Sequence, residues 1–305
     1  MNQYKKILLL TDLTEKSLGA LAYARAIAEF YNSYLGVLHV LPAAGPRTRS
    51  LGSGEEDGSK AVAVRKRLEA LADALRADGI SVQVRLCRGT VAARTILRNI
   101  RVMRPDLVIQ GCSGIEDLRR PFVGSIAEEV LRSSDKPVLT VPAALKAPSS
   151  NFLRFKRILL ATDFGNAVQT TALDALSLAQ EFGARIYLCH VHVPDSKSTW
   201  TVGEISTFFD TELHRLLAPS MSDWCEAKCV VKFGKPSETI LKLAQSEKCD
   251  LIVLGAHALG SLGSRGRPGI VFRVISGASC PVLTISSAKR EDVDIEAEQV
   301  EVIGA

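Results

Sequence analysis

Apolar and polar positions alternate along this chain in two periods. Short apolar runs, such as Tyr4–Thr11 and the stretch Leu107-Val108-Ile109, have the form of strands buried on both faces. Between them lie segments with apolar residues at helical spacing. Thr14–Tyr31 carries Leu18, Leu21, Ala22, Ala24 and Ala28, and Ala61–Ala77 carries Leu68, Leu71 and Leu75. The pattern predicts strands at Tyr34–Val40, Ile80–Cys87, Asp106–Gln110 and Pro137–Val141, with further helices at Thr90–Met103 and Ser125–Ser133. Leu41–Lys60, rich in Gly, Pro, Ser and charge, is predicted to be a loop. Such regular alternation implies a parallel sheet with helices on both faces.

The same text then recurs. KKILLLTD at Lys5–Asp12 returns as KRILLATD at Lys156–Asp163, and Leu38-His39-Val40 as Cys189-His190-Val191. Asp106-Leu107-Val108-Ile109 returns as Asp250-Leu251-Ile252-Val253, and Lys136-Pro137-Val138-Leu139-Thr140 as Cys280-Pro281-Val282-Leu283-Thr284. A repeat near 150 residues is too long for a solenoid unit, so it marks a duplicated domain. The chain divides into residues 1–145, a linker, residues 152–287, and an acidic tail at 288–305 that either extends loosely or packs on a neighbour.

Composition narrows the function. A net charge of +5 is too diffuse for a dedicated nucleic-acid surface. No apolar run reaches the roughly 20 residues that span a bilayer. Asp12 interrupts the first apolar run too early for a signal peptide, which reads as a first strand. The seven cysteines are scattered and odd in number, as expected of reduced thiols in the cytoplasm. Cys112 is the exception to watch, because it falls in a glycine-rich loop where it could be exposed. His190 and His192 share one face of a strand, but no further Cys or carboxylate spacing completes a metal set.

The chemistry concentrates in GCSGIEDLRRPFVGS, from Gly111 to Ser125. A predicted strand leads into it and a predicted helix follows. Glycines let backbone approach a phosphate, and a helix start offers unpaired N–H groups at the positive end of its dipole. The spacing is Gly111, two residues, Gly114, nine residues, then Gly124-Ser125. With PDLVIQGCSG before it and GSIAEEVLRSSDKPVLTVP after it, this stretch resembles the nucleotide-binding motif of the universal stress protein family. The resemblance covers both repeats apart from the linker and tail.

It implies two Rossmann-like doubly wound α/β domains, each a five-stranded parallel sheet of order 3-2-1-4-5, with ligands at the carboxyl ends of the strands. It further implies ATP, accompanied by Mg²⁺ held mainly by phosphate oxygens. Thr11 and Asp12 would meet the base or ribose, unless Asp12 is an ordinary helix cap. Thr14 is the better-placed cap. Val40 and Gln110 would lie near the base, while Gly111, Gly114, Gly124, Ser125 and Ile126 would hold the phosphates. Arg119 and Arg120 either screen phosphate charge or form a solvated loop.

The C-terminal copy departs from the motif. Gly111 is kept as Gly255, but Gly114 becomes Ala258, Gly124 becomes Pro268 and Ser125 becomes Gly269. Proline removes an N–H donor and alanine adds a Cβ. The expectation is one ATP site, in the N-terminal copy. No Walker sequence and no Ser-His-Asp set is present. The resemblance therefore implies a cytoplasmic nucleotide-dependent stress-response or signalling module with little or no catalysis. A slow ATPase and a non-catalytic interaction protein are the alternatives, and the protein partner is not named by the sequence. The fifth strands, at sheet edges, would pair the copies as a pseudo-dimer within the chain, with further homodimerisation open.

Overall fold

The structure, a computed structural model, describes residues 4–14, 17–42, 54–112, 124–143, 145, 154–165, 168–195, 198–217, 225–255, 269–285 and 300–303. The N-terminal copy runs β1 (Lys6–Leu10), α1 (Leu18–Tyr31), β2 (Tyr34–Pro42), α2 (Gly54–Ala77), β3 (Val82–Gly89), α3 (Ala92–Met103), β4 (Leu107–Cys112), α4 (Ser125–Ser133) and β5 (Val138–Pro142). The C-terminal copy runs β6 (Arg157–Ala161), α5 (Val168–Phe182), β7 (Arg185–His192), α6 (Val202–Arg215), β8 (Ala227–Phe233), α7 (Pro236–Ser246), β9 (Leu251–Gly255), α8 (Ile270–Gly277) and β10 (Val282–Ile285). A last strand, β11, spans Val300–Ile303.

The first strand shows why these runs are strands. Side chains alternate across a strand, so consecutive apolar residues must serve two cores. Ile7 and Leu9 enter one core with α1, α2, α5 and α6, while Leu8 and Leu10 enter the other with α3, α4, α7 and α8. Helices therefore cover both faces of the sheet, as the unbroken apolar runs require.

The strands lie in the order β11-β3-β2-β1-β4-β5-β10-β9-β6-β7-β8. Within each copy the pairs are parallel. The copies meet where β5 and β10 pair antiparallel, with Leu139 opposite Leu283. The Thr284 hydroxyl donates to the Val138 carbonyl across that seam at 3.1 Å.

Several boundaries differ from the sequence pattern. α1 begins at Leu18 rather than Thr14. Asp12 Oδ1 instead accepts from the Thr14 N–H at 3.0 Å and its hydroxyl at 2.7 Å, a local turn that competes with the helix. α2 begins at Gly54, inside the stretch expected to be a loop. In the C-terminal copy α6 opens on a capping box: Thr201 Oγ1 accepts from the Glu204 N–H at 3.2 Å, and the Glu204 carboxylate accepts from the Thr201 N–H at 2.8 Å.

The end of the tail is not loose. β11 pairs antiparallel with β3, Val300 opposite Cys87 and Ile303 opposite Val84. Ile303 is buried in the core beside β3, and Glu301 forms an exposed ion pair with Arg65 of α2. The opposite edge strand, β8, presents exposed Lys228 and Lys232, charges that discourage pairing with another sheet.

Leu283 is 2 % exposed and lies on the seam. Leu283→Ala is expected to lower stability by about 2–5 kcal/mol in urea unfolding, as buried leucine truncations do. Glu301→Ala, at an exposed pair, is expected to change it by less than about 1 kcal/mol. Equal effects of the two would contradict this account of the seam.

Candidate functional site

Strand β1 is central in its copy, with β2 on one side and β4 on the other. Helices follow β1 and β4 on opposite faces of the sheet, so a crevice opens beyond their carboxyl ends. A cavity of about 310 Å³ lies there. It brings together Thr11, Asp12, Val40, Gln110, Gly111, Gly124, Ser125 and Ile126, eight positions singled out from the sequence. Gly114, with Arg119 and Arg120, lies outside the described residues.

On the β1 side, Thr11 Oγ1 accepts from the Leu13 N–H at 3.0 Å and lies 3.0 Å from Ser17 Oγ. Leu13 adopts a positive φ of 61°, which turns the chain sharply after Asp12. Partial burial raises the Asp12 pKa, but hydrogen bonds from Thr14 and Ser17 outweigh it and hold the carboxyl below its ordinary range. The group is thus a carboxylate with acceptor capacity beyond the bonds it receives. Ser17, not Thr14, occupies the cap position of α1, so Asp12 is no conventional helix cap.

His39 also lines the cavity, a residue not singled out from the sequence although His-Val recurs at the same place in both copies. Its Nδ1 lies 2.9 Å from the Thr11 carbonyl oxygen, which accepts only if Nδ1 carries the proton. Burial lowers the pKa of His39, favouring the neutral ring with Nε2 as an acceptor. Ser17, Ala92, Ile96 and Ala127 were missed for a simpler reason. They carry no distinctive chemistry and reach the cavity only through packing.

Gln110 is buried, and its amide nitrogen donates to the Ala127 carbonyl at 3.2 Å and Thr140 Oγ1 at 3.3 Å. It therefore ties β4 to α4 and β5 rather than facing solvent. On the far side, α4 starts at Ser125. Gly124 has φ 104° and ψ 132°, a conformation other residues rarely adopt, with nothing within 4 Å of where a Cβ would stand. The Gly124 carbonyl accepts from the Glu128 N–H at 2.8 Å. The N–H groups of Ser125 and Ile126 precede that first helical bond, as orphan donors at the cavity wall.

Cys112 is not an exposed thiol. It ends β4 at 4 % exposure, and burial pushes its pKa to about 11, so it stays protonated near neutrality. None of the seven cysteines forms a disulfide, and only Cys229 is less than buried.

The C-terminal copy repeats the β-side architecture. Asp163 Oδ1 accepts from the Gly165 N–H at 2.9 Å, and His190 Nδ1 lies 3.0 Å from the Thr162 carbonyl oxygen. Its cavity is about 90 Å³, much smaller than the first. Gly269, at the position of Ser125, precedes α8 with an ordinary extended backbone. Ala258 and Pro268 lie outside the described residues. His190 stacks on Phe209 with ring centroids 3.9 Å apart, and His192 packs against Phe209 and Phe233. Among the described residues no group of three or more His, Cys, Asp or Glu side chains is placed to hold a metal ion.

Comparison with known proteins bears on the family and the fold. A sequence profile of the universal stress protein family matches residues 3–142 and again 154–286. A universal stress protein of Thermus aquaticus, from the 3′ region of a QAH/OAS sulfhydrylase gene, is 35% identical over 142 residues, 43% of this chain and 98% of that protein. Universal stress protein MJ0531 of Methanocaldococcus jannaschii is 29% identical over 145 residues, 45% of this chain and 85% of that protein. The fold is similar to a crystal structure of a universal stress protein from Archaeoglobus fulgidus, with TM-score 0.69 at 20% identity, covering 94% of this chain and 100% of that one. Two matches in tandem, over nearly the whole chain, show that it belongs to the universal stress protein family.

Proposed function

We propose that the N-terminal copy binds ATP and that the protein acts in the cytoplasm as a nucleotide-dependent stress-response or signalling module. The observation that carries this reading is one cavity lined on its β1 side by the Asp12 carboxylate and on its α4 side by the start of a helix. The two ends suit the two ends of a nucleotide. The carboxylate accepts from ribose hydroxyls or an exocyclic amine, and the Ser125 and Ile126 N–H groups receive phosphate oxygens. The open space beside Gly124 favours the same assignment, since backbone can approach an anion there without a Cβ in the way. Mg²⁺, which would screen phosphate charge, would travel on the phosphates with water completing its shell.

Turnover is slow or absent in this reading. Asp12, held below its ordinary pKa, is a weak base. His39 favours the second reading, a slow ATPase, because a neutral imidazole with Nδ1 occupied keeps Nε2 as an acceptor at the cavity.

Denaturing freshly purified protein and identifying the released nucleotide by chromatography is expected to yield about one ATP per chain. ADP in its place would favour hydrolysis, and about two ATP per chain would contradict a single working site. If neither released nor added ATP binds, the interaction-protein reading replaces this one. Gly124→Ala, which forces a Cβ into a left-handed backbone, is expected to weaken ATP binding at least about tenfold in calorimetry while leaving the far-ultraviolet circular dichroism unchanged. Unchanged affinity would remove Gly124 from the phosphate site.

A further inference from the structure

β8 is the outer strand of the C-terminal copy, as β3 is of the N-terminal one, but only β3 has a strand beyond it. The two strands match residue by residue. Leu35 of β2 lies opposite Val82, and its counterpart Ile186 of β7 lies opposite Ala227. Val84 and Leu86 therefore correspond to Cys229 and Val231. Covered by β11, Val84 and Leu86 are 0 % and 4 % exposed. Cys229 and Val231, on the edge without such a cover, are only half-buried.

The backbone of β8 shows which groups the edge offers. The Glu226 carbonyl accepts from the Ile186 N–H at 3.0 Å, and the Gly234 N–H donates to the His192 carbonyl at 3.0 Å. Successive residues of a parallel strand point toward and away from the neighbouring strand in turn. The even-numbered residues thus bond to β7, and Ala227, Cys229, Val231 and Phe233 turn their N–H and C=O groups outward. No strand among the described residues pairs with them.

Side chains give the edge two faces of different charge. On one, Cys229 and Val231 pack on the core beside α6, and the Asp210 carboxylate of that helix acts on the Cys229 thiol. On the other, Val230 packs on the opposite core between the exposed Lys228 and Lys232. Lys228 Nζ lies 3.4 Å from the Glu247 carboxylate, an exposed pair that contributes little.

We propose that β8 is a docking edge for an extended acidic segment of a partner protein, which adds to it as an antiparallel strand. The precedent lies in the same chain. Four residues, Val300–Ile303, cover β3 antiparallel, with Ile303 entering the core and Glu301 pairing with Arg65. Charge sets the partner at β8. The segment carries carboxylates opposite Lys228 and Lys232 and three apolar residues between them, the outer two lying over Cys229 and Val231. A β8 strand from a second copy brings the same lysines and is repelled, and a carboxylate on the α6 face meets Asp210. Neither cavity contains a β8 residue, so the proposal stands apart from ATP binding.

The test uses the isotopically labelled full chain at low salt and a blocked peptide, Thr-Glu-Val-Val-Ile-Glu-Thr, read by backbone amide resonances. Saturable shifts and slowed deuterium exchange are expected at Cys229, Val231 and Phe233. The same peptide with lysine in place of both glutamates is expected to bind at least about tenfold more weakly, and the combined change Lys228→Glu and Lys232→Glu to reverse that preference. Val231→Pro removes one outward N–H and leaves the ladder to β7 intact, so it is expected to keep its far-ultraviolet circular dichroism and lose binding. No saturable shift on β8 would overturn the site, and equal affinity for the two peptides would overturn selection by charge. Undiminished binding to Val231→Pro would overturn strand addition. Shifts confined to β3 and β11 would show exchange with the tail strand instead, and would overturn β8 as the docking edge.

Discussion

The antiparallel pairing of β5 with β10 is the contact on which the architecture rests. A parallel sheet ends in an edge whose N–H and C=O groups have no partners, and an exposed apolar edge invites association. Here each copy closes the inner edge of the other. Both cores continue across the seam, and side chains reinforce it on both faces. Phe30 stacks on Phe182 at 4.7 Å, and the Tyr31 hydroxyl donates to the Glu181 carboxylate at 2.7 Å. On the other face the Arg132 guanidinium lies 4.7 Å from the centre of the Phe272 ring. Because the pairing is antiparallel, the carboxyl ends of the two sets of parallel strands point in opposite directions. The two cavities therefore open at opposite ends of one sheet.

That arrangement frees the copies to diverge. The backbone geometry of the strand ends is shared: Asp12 and Asp163 each accept a nearby N–H, and His39 and His190 each lie against the carbonyl oxygen of a strand-end threonine. These contacts hold the turn after the first strand of each copy. What differs is the lining beyond them. The N-terminal cavity keeps Ser17, Gln110 and Ser125, while the C-terminal one has Val168 and Leu254 at the first two of these positions.

Much of this was legible in the residues because burial on both faces leaves an unbroken apolar run, and two such runs with the same flanks betray a duplication. The cavity residues Asp12, Gly111, Gly124 and Ser125 were legible through the resemblance of their types and spacing to the family's nucleotide-binding motif. Less legible was the start of α1: Thr14, its expected first residue, is claimed by the Asp12 carboxylate, so a competing turn delays the helix. The exposure of Cys112 stayed open in the sequence because membership of a glycine-rich stretch does not reveal whether a side chain turns inward. His39 looked like an ordinary strand residue until its ring was seen against the Thr11 carbonyl.

By itself, the sequence determined the alternation of strands and helices, the duplication and the position of the glycine stretch, since each depends on local periodicity or backbone preference. Only the tertiary structure decided which edges close. The strand Val300–Ile303 joins β3 of the far copy, a choice made by a core that receives Ile303 and by unpaired backbone groups there. Tertiary packing also set the two cavity sizes and their linings. Those properties arise where side chains distant in the chain converge, and no local pattern encodes the space between them.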